Sequence, residues 1–209
     1  MSSGGGASDC IRRTLGEIAT IIRGASPRPI KNFITDSYDG VNWIKIGDTT
    51  PESKYITNTA EKITREGAQK SRIVKKGDFV LSNSMSFGRP YILKIDGCIH
   101  DGWLSISEFE NVFLPDFLYH LLSSGNYQAM LRKRASFGGA VQNLNVDIVK
   151  ELNVPIIPLS VQRRIVSILD RFDTLCNDLT SGLPAEIEAR QKQYEYYRDK
   201  LLTFKELTA

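Results

Sequence analysis

The chain of 209 residues holds three cysteines, two histidines and no long apolar run. Cys10, Cys98 and Cys176 are an odd number at wide spacings with no C-x-x-C pair, which argues against a disulfide framework or a zinc site and predicts reduced thiols. No apolar stretch approaches the roughly 20 residues a bilayer span requires, and no basic segment with an apolar core opens the chain. A membrane partner is therefore not expected, and the expected location is cytoplasmic. The net charge of +3 is too small to argue for nucleic acid by itself. From Ile156 onward eight basic and eight acidic residues cancel, so the whole excess lies in the first three quarters.

Catalytic signatures are equally scarce. There is no G-x-x-x-x-G-K-[ST] phosphate loop and no G-x-G-x-x-G turn after a strand. With only His100 and His120, no zincin motif can be written and a Ser-His-Asp triad has few ways to form. His100-Asp101, in the segment CIHDGW, is the remaining acid/base candidate; a turn histidine beside a buried Trp103 explains it as well. Asp116 has no E-x-K at strand spacing and makes a thin nuclease centre. Neither an enzymatic activity, a metal nor a cofactor is expected.

Ordinary composition, 41% hydrophobic and 24% charged, places the chain among globular proteins. Residues 1–9 (MSSGGGASD) form a small, Gly-rich lead expected to be disordered. From there to about residue 155, short β-branched and aromatic segments (Val41 to Ile46, Phe79 to Ser82, Pro90 to Ile95, Trp103 to Ser107) alternate with turn dipeptides such as Asp39-Gly40, Gly77-Asp78 and Asp96-Gly97. This predicts a mostly β domain over 10–155, interrupted by helices at Pro115 to Ser123, Tyr127 to Arg134 and, capped by Asn145, to Glu151. The Pro-spaced LNVPIIP marks a boundary. Beyond it, Ser160 caps a helix carrying Val161, Ile165, Ile168, Leu169, Phe172, Leu175 and Leu179 at three-four spacing. Ser181 to Pro184 (SGLP) breaks it, because Gly suits the residue after a helix and Pro the first of the next. A second helix then carries Ile187, Arg190, Tyr194, Tyr197, Leu201 and Phe204, an a/d seam expected to contact another molecule or domain. The fold class is thus α+β: a mixed, mostly β domain with a few helices, followed over 156–209 by a two-helix, coiled-coil-forming spacer.

Three loops join flexible backbone to hydrogen-bonding side chains. The first holds Arg28 and Lys31 beside Ser26. The second holds Ser82, Asn83, Ser84, Ser86 and Arg89. The third holds Arg132, Lys133, Arg134, Ser136, Gln142 and Asn143 around Gly138-Gly139. Lys and Arg neutralise phosphates, Asn and Gln pair with adenine edges, Arg reads guanine, and glycines let backbone come close. Each loop alone is equally a solvated turn, as is Lys70 to Lys76.

Together these residues resemble a specificity subunit of a type I restriction-modification system. Leu15-Gly16-Glu17-Ile18 with Gly24 and Pro27 resembles the opening of that family's target-recognition domain, and Gly77 to Ser82 with Gly88 its middle strand and loop. Most specific are Val154-Pro155 to Pro158-Leu159, Gln162-Arg163-Arg164-Ile165 to Asp170, and Tyr196-Tyr197-Arg198 to Leu201-Leu202, which resemble its helical spacer. The frequent Glu before the Gln is Val161 here. Family members usually carry two recognition domains and two spacers, whereas one of each is present, so a half-length form, natural or truncated, is expected. The resemblance implies a non-catalytic subunit that chooses the double-stranded DNA sequence for a separate adenine methyltransferase subunit and restriction subunit. It further implies a second copy associating through antiparallel spacers, which predicts a two-part target. Two other readings remain open: a stand-alone DNA-binding regulator, and a subunit-exchange inhibitor or scaffold that ignores DNA.

Overall fold

Apolar runs bounded by turn signals become strands in the computed structural model, which describes residues 9–50, 53–83, 87–135, 144–178 and 184–206. The first half of the chain supplies β1 (Asp9–Thr14), β2 (Thr20–Arg23), β3 (Ile34–Thr35), β4 (Val41–Ile44), β5 (Tyr55–Ile56) and β6 (Glu61–Ile63). Then follow α1 (Arg65–Gln69), β7 (Arg72–Val74), β8 (Phe79–Ser82), β9 (Pro90–Leu93), β10 (Gly97–Ile99) and β11 (Trp103–Ser107). The remainder comprises α2 (Pro115–Ser123), α3 (Gly125–Ala135), α4 (Val146–Lys150), β12 (Asn153–Ile156), α5 (Leu159–Asp178), α6 (Pro184–Leu201) and β13 (Lys205–Glu206). The expected α+β class is present; β8 and β11 keep the expected bounds, and β4 and β9 end two residues sooner.

Two five-stranded sheets, ordered β2-β11-β8-β9-β5 and β3-β6-β4-β10-β7, build the head. Every residue of β8 and β9 is buried, which explains their unbroken apolar character. Aromatic pairs pack the β2-β11-β8-β9-β5 sheet: Phe79 meets Phe109 edge-on at 5.2 Å, and Tyr91 meets Trp103 at 5.7 Å. The Trp103 indole donates to the Ile44 carbonyl, so its one polar atom is satisfied in the core. Pro115 opens α2 as expected, and Asn145 caps α4 by accepting from the Ile148 N–H at 2.9 Å.

Three expectations require correction. The Pro-spaced segment supplies β12, which pairs antiparallel with β1, and the largest apolar cluster runs from the head through Ile165 and Leu169 of α5. On α5, Val161 is exposed and Gln162 takes the inward position instead, completely buried. The amide is tolerated there because its Oε1 accepts from Leu114 N while its Nε2 donates to the carbonyls of Val112 and Ile157. The aromatic seam of α6 is also largely used within the chain. Tyr194 and Leu201 pack on the main cluster, Phe204 is buried, and Tyr197 stacks on Phe172 of α5 with centroids 6.1 Å apart. The terminal helix has a surface of its own molecule to lie upon, because α5 turns it back toward α3. Finally, α6 ends at Leu201, and β13 beyond it adds parallel to β1, giving a third sheet ordered β12-β1-β13. Arg12 donates to the Phe204 carbonyl at 2.7 Å and secures that return.

The lead at 1–8, the break at 181–183 and Leu179 lie outside the described residues. Asp9, assigned to the lead, begins β1. Among the described residues no helix is long and apolar enough to cross a membrane.

Candidate nucleic-acid interface

The CIHDGW segment connects β10 to β11 and holds the bases of the first two polar loops. Its backbone holds the first loop: Gly24 N donates to the Trp103 carbonyl and Ala25 N to the Ile99 carbonyl. A Cβ on residue 24 would stand 2.0 Å from the His100 carbonyl oxygen, so only glycine permits this approach. Asp101 then fixes the side chains. Its carboxylate accepts from Ser26 Oγ at 2.6 Å, and its carbonyl accepts from Arg23 Nε and from Asn83 Nδ2, the latter at 2.8 Å. The second loop is held again by Asn83 N donating to the Gly102 carbonyl, and the third arrives where Leu144 N donates to the Asn83 carbonyl. Residues 75 positions apart in sequence thus meet at one turn.

The Ser26 hydrogen bond, more than any other influence, holds Asp101 below the usual carboxylate range. His100 is pushed down by burial, and its Nδ1 accepts from Gly102 N at 2.8 Å. It is a turn histidine of the β10–β11 connection.

The candidate residues separate on this frame. Arg28 is 82% exposed, 3.6 Å from the Asp101 carboxylate, and Lys31 is exposed nearby in the chain. Ser82 and Asn83 are buried, at 0% and 3% exposure, so their side chains build the loop bases and do not reach the surface. Ser84, Ser86, Ser136, Gln142 and Asn143 lie outside the described residues. Lys133 is exposed; Arg134 is drawn to the end of α4, where it donates to the Glu151 carbonyl at 3.0 Å. Arg89 and Arg132 line a cleft of about 930 Å³ on the side of the head that faces α6. Of the seam, Arg190 and Tyr197 are exposed, and the Ile187 side chain is outside the described set.

A second polar cluster escaped the sequence reading. Lys54 places its ammonium 2.6 Å from Asp116 and 3.8 Å from Asp170, and His120 lies 3.1 Å from the same Asp170 carboxylate. Asp116 also accepts from the Tyr55 hydroxyl, so it ties α2 to the start of β5, while Lys54 carries the pairing on to Asp170 of α5. Lys54 carries no local motif; only the tertiary fold reveals it. His120, Asp170 and Asp173 are close enough to share a cation, but the Lys54 ammonium already supplies positive charge at Asp170.

With this geometry in place, comparison with known proteins is decisive. Residues 8–189 match the type I restriction modification DNA specificity domain. The chain belongs to that specificity-subunit family. Over 183 residues it is 37% identical to a protein of Haemophilus influenzae described as a type I restriction enzyme specificity subunit, covering 85% of this chain and 44% of that one. It is 33% identical over 197 residues to the Escherichia coli EcoR124I/EcoR124II specificity subunit, covering 92% and 48%. The crystal structure of the HsdS subunit from Thermoanaerobacter tengcongensis shares the fold, with a TM-score of 0.65 at 20% identity over 97% of this chain and 47% of that one. The chain spans about half the length of the specificity subunits it matches.

Proposed function

We propose that this chain selects a DNA sequence for a separate methyltransferase subunit, and through the assembled complex for a restriction subunit, without performing catalysis itself. The observation that carries this reading is the anchoring of the first two polar loops on the Asp101 turn through Ser26 and Asn83, with Arg28 and Lys31 exposed beside it. A rigid base holding long loops suits base-edge reading, while exposed cations suit phosphates. The exposed face of α5, with Leu159, Val161 and Arg163, is where we place the methyltransferase contact. A second copy is assigned to the exposed side of α6, at Arg190, Tyr196 and Tyr197. An 18-residue helix is roughly 27 Å long, about three quarters of a turn of B-DNA, so paired spacers would hold two heads apart over separate half-sites of a two-part palindrome.

Methylome sequencing of cells expressing the chain with a cognate methyltransferase subunit tests the proposal. The expected result is a two-part methylated motif that disappears when the chain is omitted. A motif that persists without the chain, or methylation by the isolated chain, overturns it.

A further inference from the structure

The basic run Lys70 to Lys76 gains a neighbour only in the folded chain. Two stretches without any Asp or Glu, residues 18–35 and 67–77, together hold seven cations. The start of β7 joins them. Ser71 Oγ donates to the Ala25 carbonyl at 2.7 Å and lies 3.3 Å from the Ile99 carbonyl, and Arg72 stands opposite Ile99 in the β7–β10 register. Ile99 also accepts from Ala25 N, so β7 opens against the first recognition loop, two residues from the Asp101 turn. The end of α1 makes a second contact. Its Lys70 ammonium lies 4.6 Å over the ring of Phe33, which directly follows the Ile30–Asn32 turn that carries Lys31.

Arg23, Arg28, Lys31, Lys70 and Arg72 meet on this face, and all are exposed. Arg28 faces the Asp101 carboxylate, and Lys70 is matched by Glu66 at 2.8 Å. Among the described residues Arg23, Lys31 and Arg72 have no carboxylate within ion-pair distance, which leaves three positive charges uncompensated. The far end of β7 is different: the backbone N–H groups of Lys75 and Lys76 donate to the carboxylates of Asp78 and Asp96, so two acids stand beside two cations there. β7 is an edge strand, and charge of either sign guards such an edge against pairing with another chain. Guarding does not explain why the same sign continues through Arg28 and Lys31, which lie in no strand.

We propose that the start of β7 and the first loop form one phosphate-binding face, with Arg72 a contact to the sugar-phosphate backbone of duplex DNA beside Arg28 and Lys31. This rests on the DNA-recognition reading above and adds to it a segment 46 positions from the loop it supports. Charge complementarity decides for DNA over an acidic protein segment. A duplex carries one negative charge per about 1.7 Å of its axis, so a strand passing the first loop brings phosphates to each long cationic side chain around it. Arg72 supplies affinity without sequence choice, and the Ser71 bond to Ala25 keeps it in step with the loop.

The test measures binding of the full chain to a fluorescein-labelled duplex of about 30 bp and arbitrary sequence, across roughly 50 to 200 mM salt. Each lost phosphate contact lowers the slope of log K against log salt by about 0.9, so Arg72→Gln should lose about 0.9 and Lys31→Gln/Arg72→Gln about 2. Arg72→Lys should retain the slope, and an unchanged melting temperature shows that folding is intact. Lys75→Gln/Lys76→Gln, at the balanced end of the same strand, should leave the slope as it is. An equal loss in that pair overturns the proposal, because the effect is then one of overall charge. An unchanged slope in Arg72→Gln, beside a lowered slope in Arg28→Gln, overturns the β7 contact and leaves the recognition reading standing. Absence of duplex binding by the parent chain, with or without methyltransferase subunit, removes both. Normal duplex binding by Arg72→Gln with loss of methyltransferase binding assigns the face to an acidic protein surface instead.

Discussion

The side chain of Gln162 accepts the Leu114 N–H at 2.8 Å and thereby ties the first turn of α5 to the residue that precedes α2. Its Nε2 holds two more backbone carbonyls, those of Val112 and Ile157. Replacing it by Leu keeps the volume and leaves three buried backbone groups without their partner. A buried unsatisfied group costs about 1–3 kcal/mol, and partial relaxation should bring the total to about 3 kcal/mol. For a chain of this size that corresponds to roughly 6–12 °C in Tm by thermal melting.

Gly24→Ala probes the frame of the recognition loops. The new methyl collides with backbone, not with a flexible side-chain end, so either the first loop lifts off the turn or the β10–β11 connection shifts. A destabilisation of about 1–3 kcal/mol is expected, with the Arg23 and Ser26 bonds to Asp101 weakened. Faster amide exchange at Gly24 and Ala25 would report it; wild-type exchange rates at both would show that the contact is dispensable.

Acid sensitivity should arise in two windows. Burial, the largest influence, pushes His120 below its usual 6.5, although the Asp170 hydrogen bond works against it; Lys54 and Asp173 also face the ring. The unfolded chain therefore binds protons before the folded one does, so the His120 contribution is complete above about pH 6.5 and is lost as pH falls below it. Asp101 and Asp116 are held below 3.8, and their contribution persists above that value and is lost only as pH falls through and beneath it. His120→Gln should flatten the fall in Tm between about pH 6.5 and 5 and leave the more acidic phase unchanged.

Roles within and between molecules separate at the tail. Phe204 is 8% exposed and Tyr196 is 61% exposed. Phe204→Ala should cost about 3 kcal/mol without changing the sedimenting mass. Tyr196→Asp should leave Tm within about 0.5 kcal/mol of equivalent stability and abolish any dimer at micromolar concentration. A dimer that survives Tyr196→Asp moves the contact to another face.

Strands and capped helices were readable because their signals are local: turn dipeptides bound β8 and β11, Pro115 starts α2, and Asn145 caps α4. Burial of Gln162 was not readable, since one amide on an amphipathic helix looks like solvent-facing polarity until the backbone groups it serves are known. The seam on α6 was visible as a spacing, but spacing cannot tell which surface meets it, and Phe172 answered for Tyr197. The Asp101 junction depends on partners 18 and 75 positions away, and β13 is two polar residues with no strand signature at all. Arg89 and Arg132 were recognised as anion contacts, whereas the cleft they share with Arg198 exists only after the helix has folded back.

The parallel pairing of β13 with β1 sets Asp9 beside Lys205. Because parallel neighbours are joined only by a crossover of about a dozen residues or more, a linker from Glu206 back to Asp9 would have to loop over the sheet edge; with it, new termini could be cut at the turn of Tyr38, whose side chain is 99% exposed.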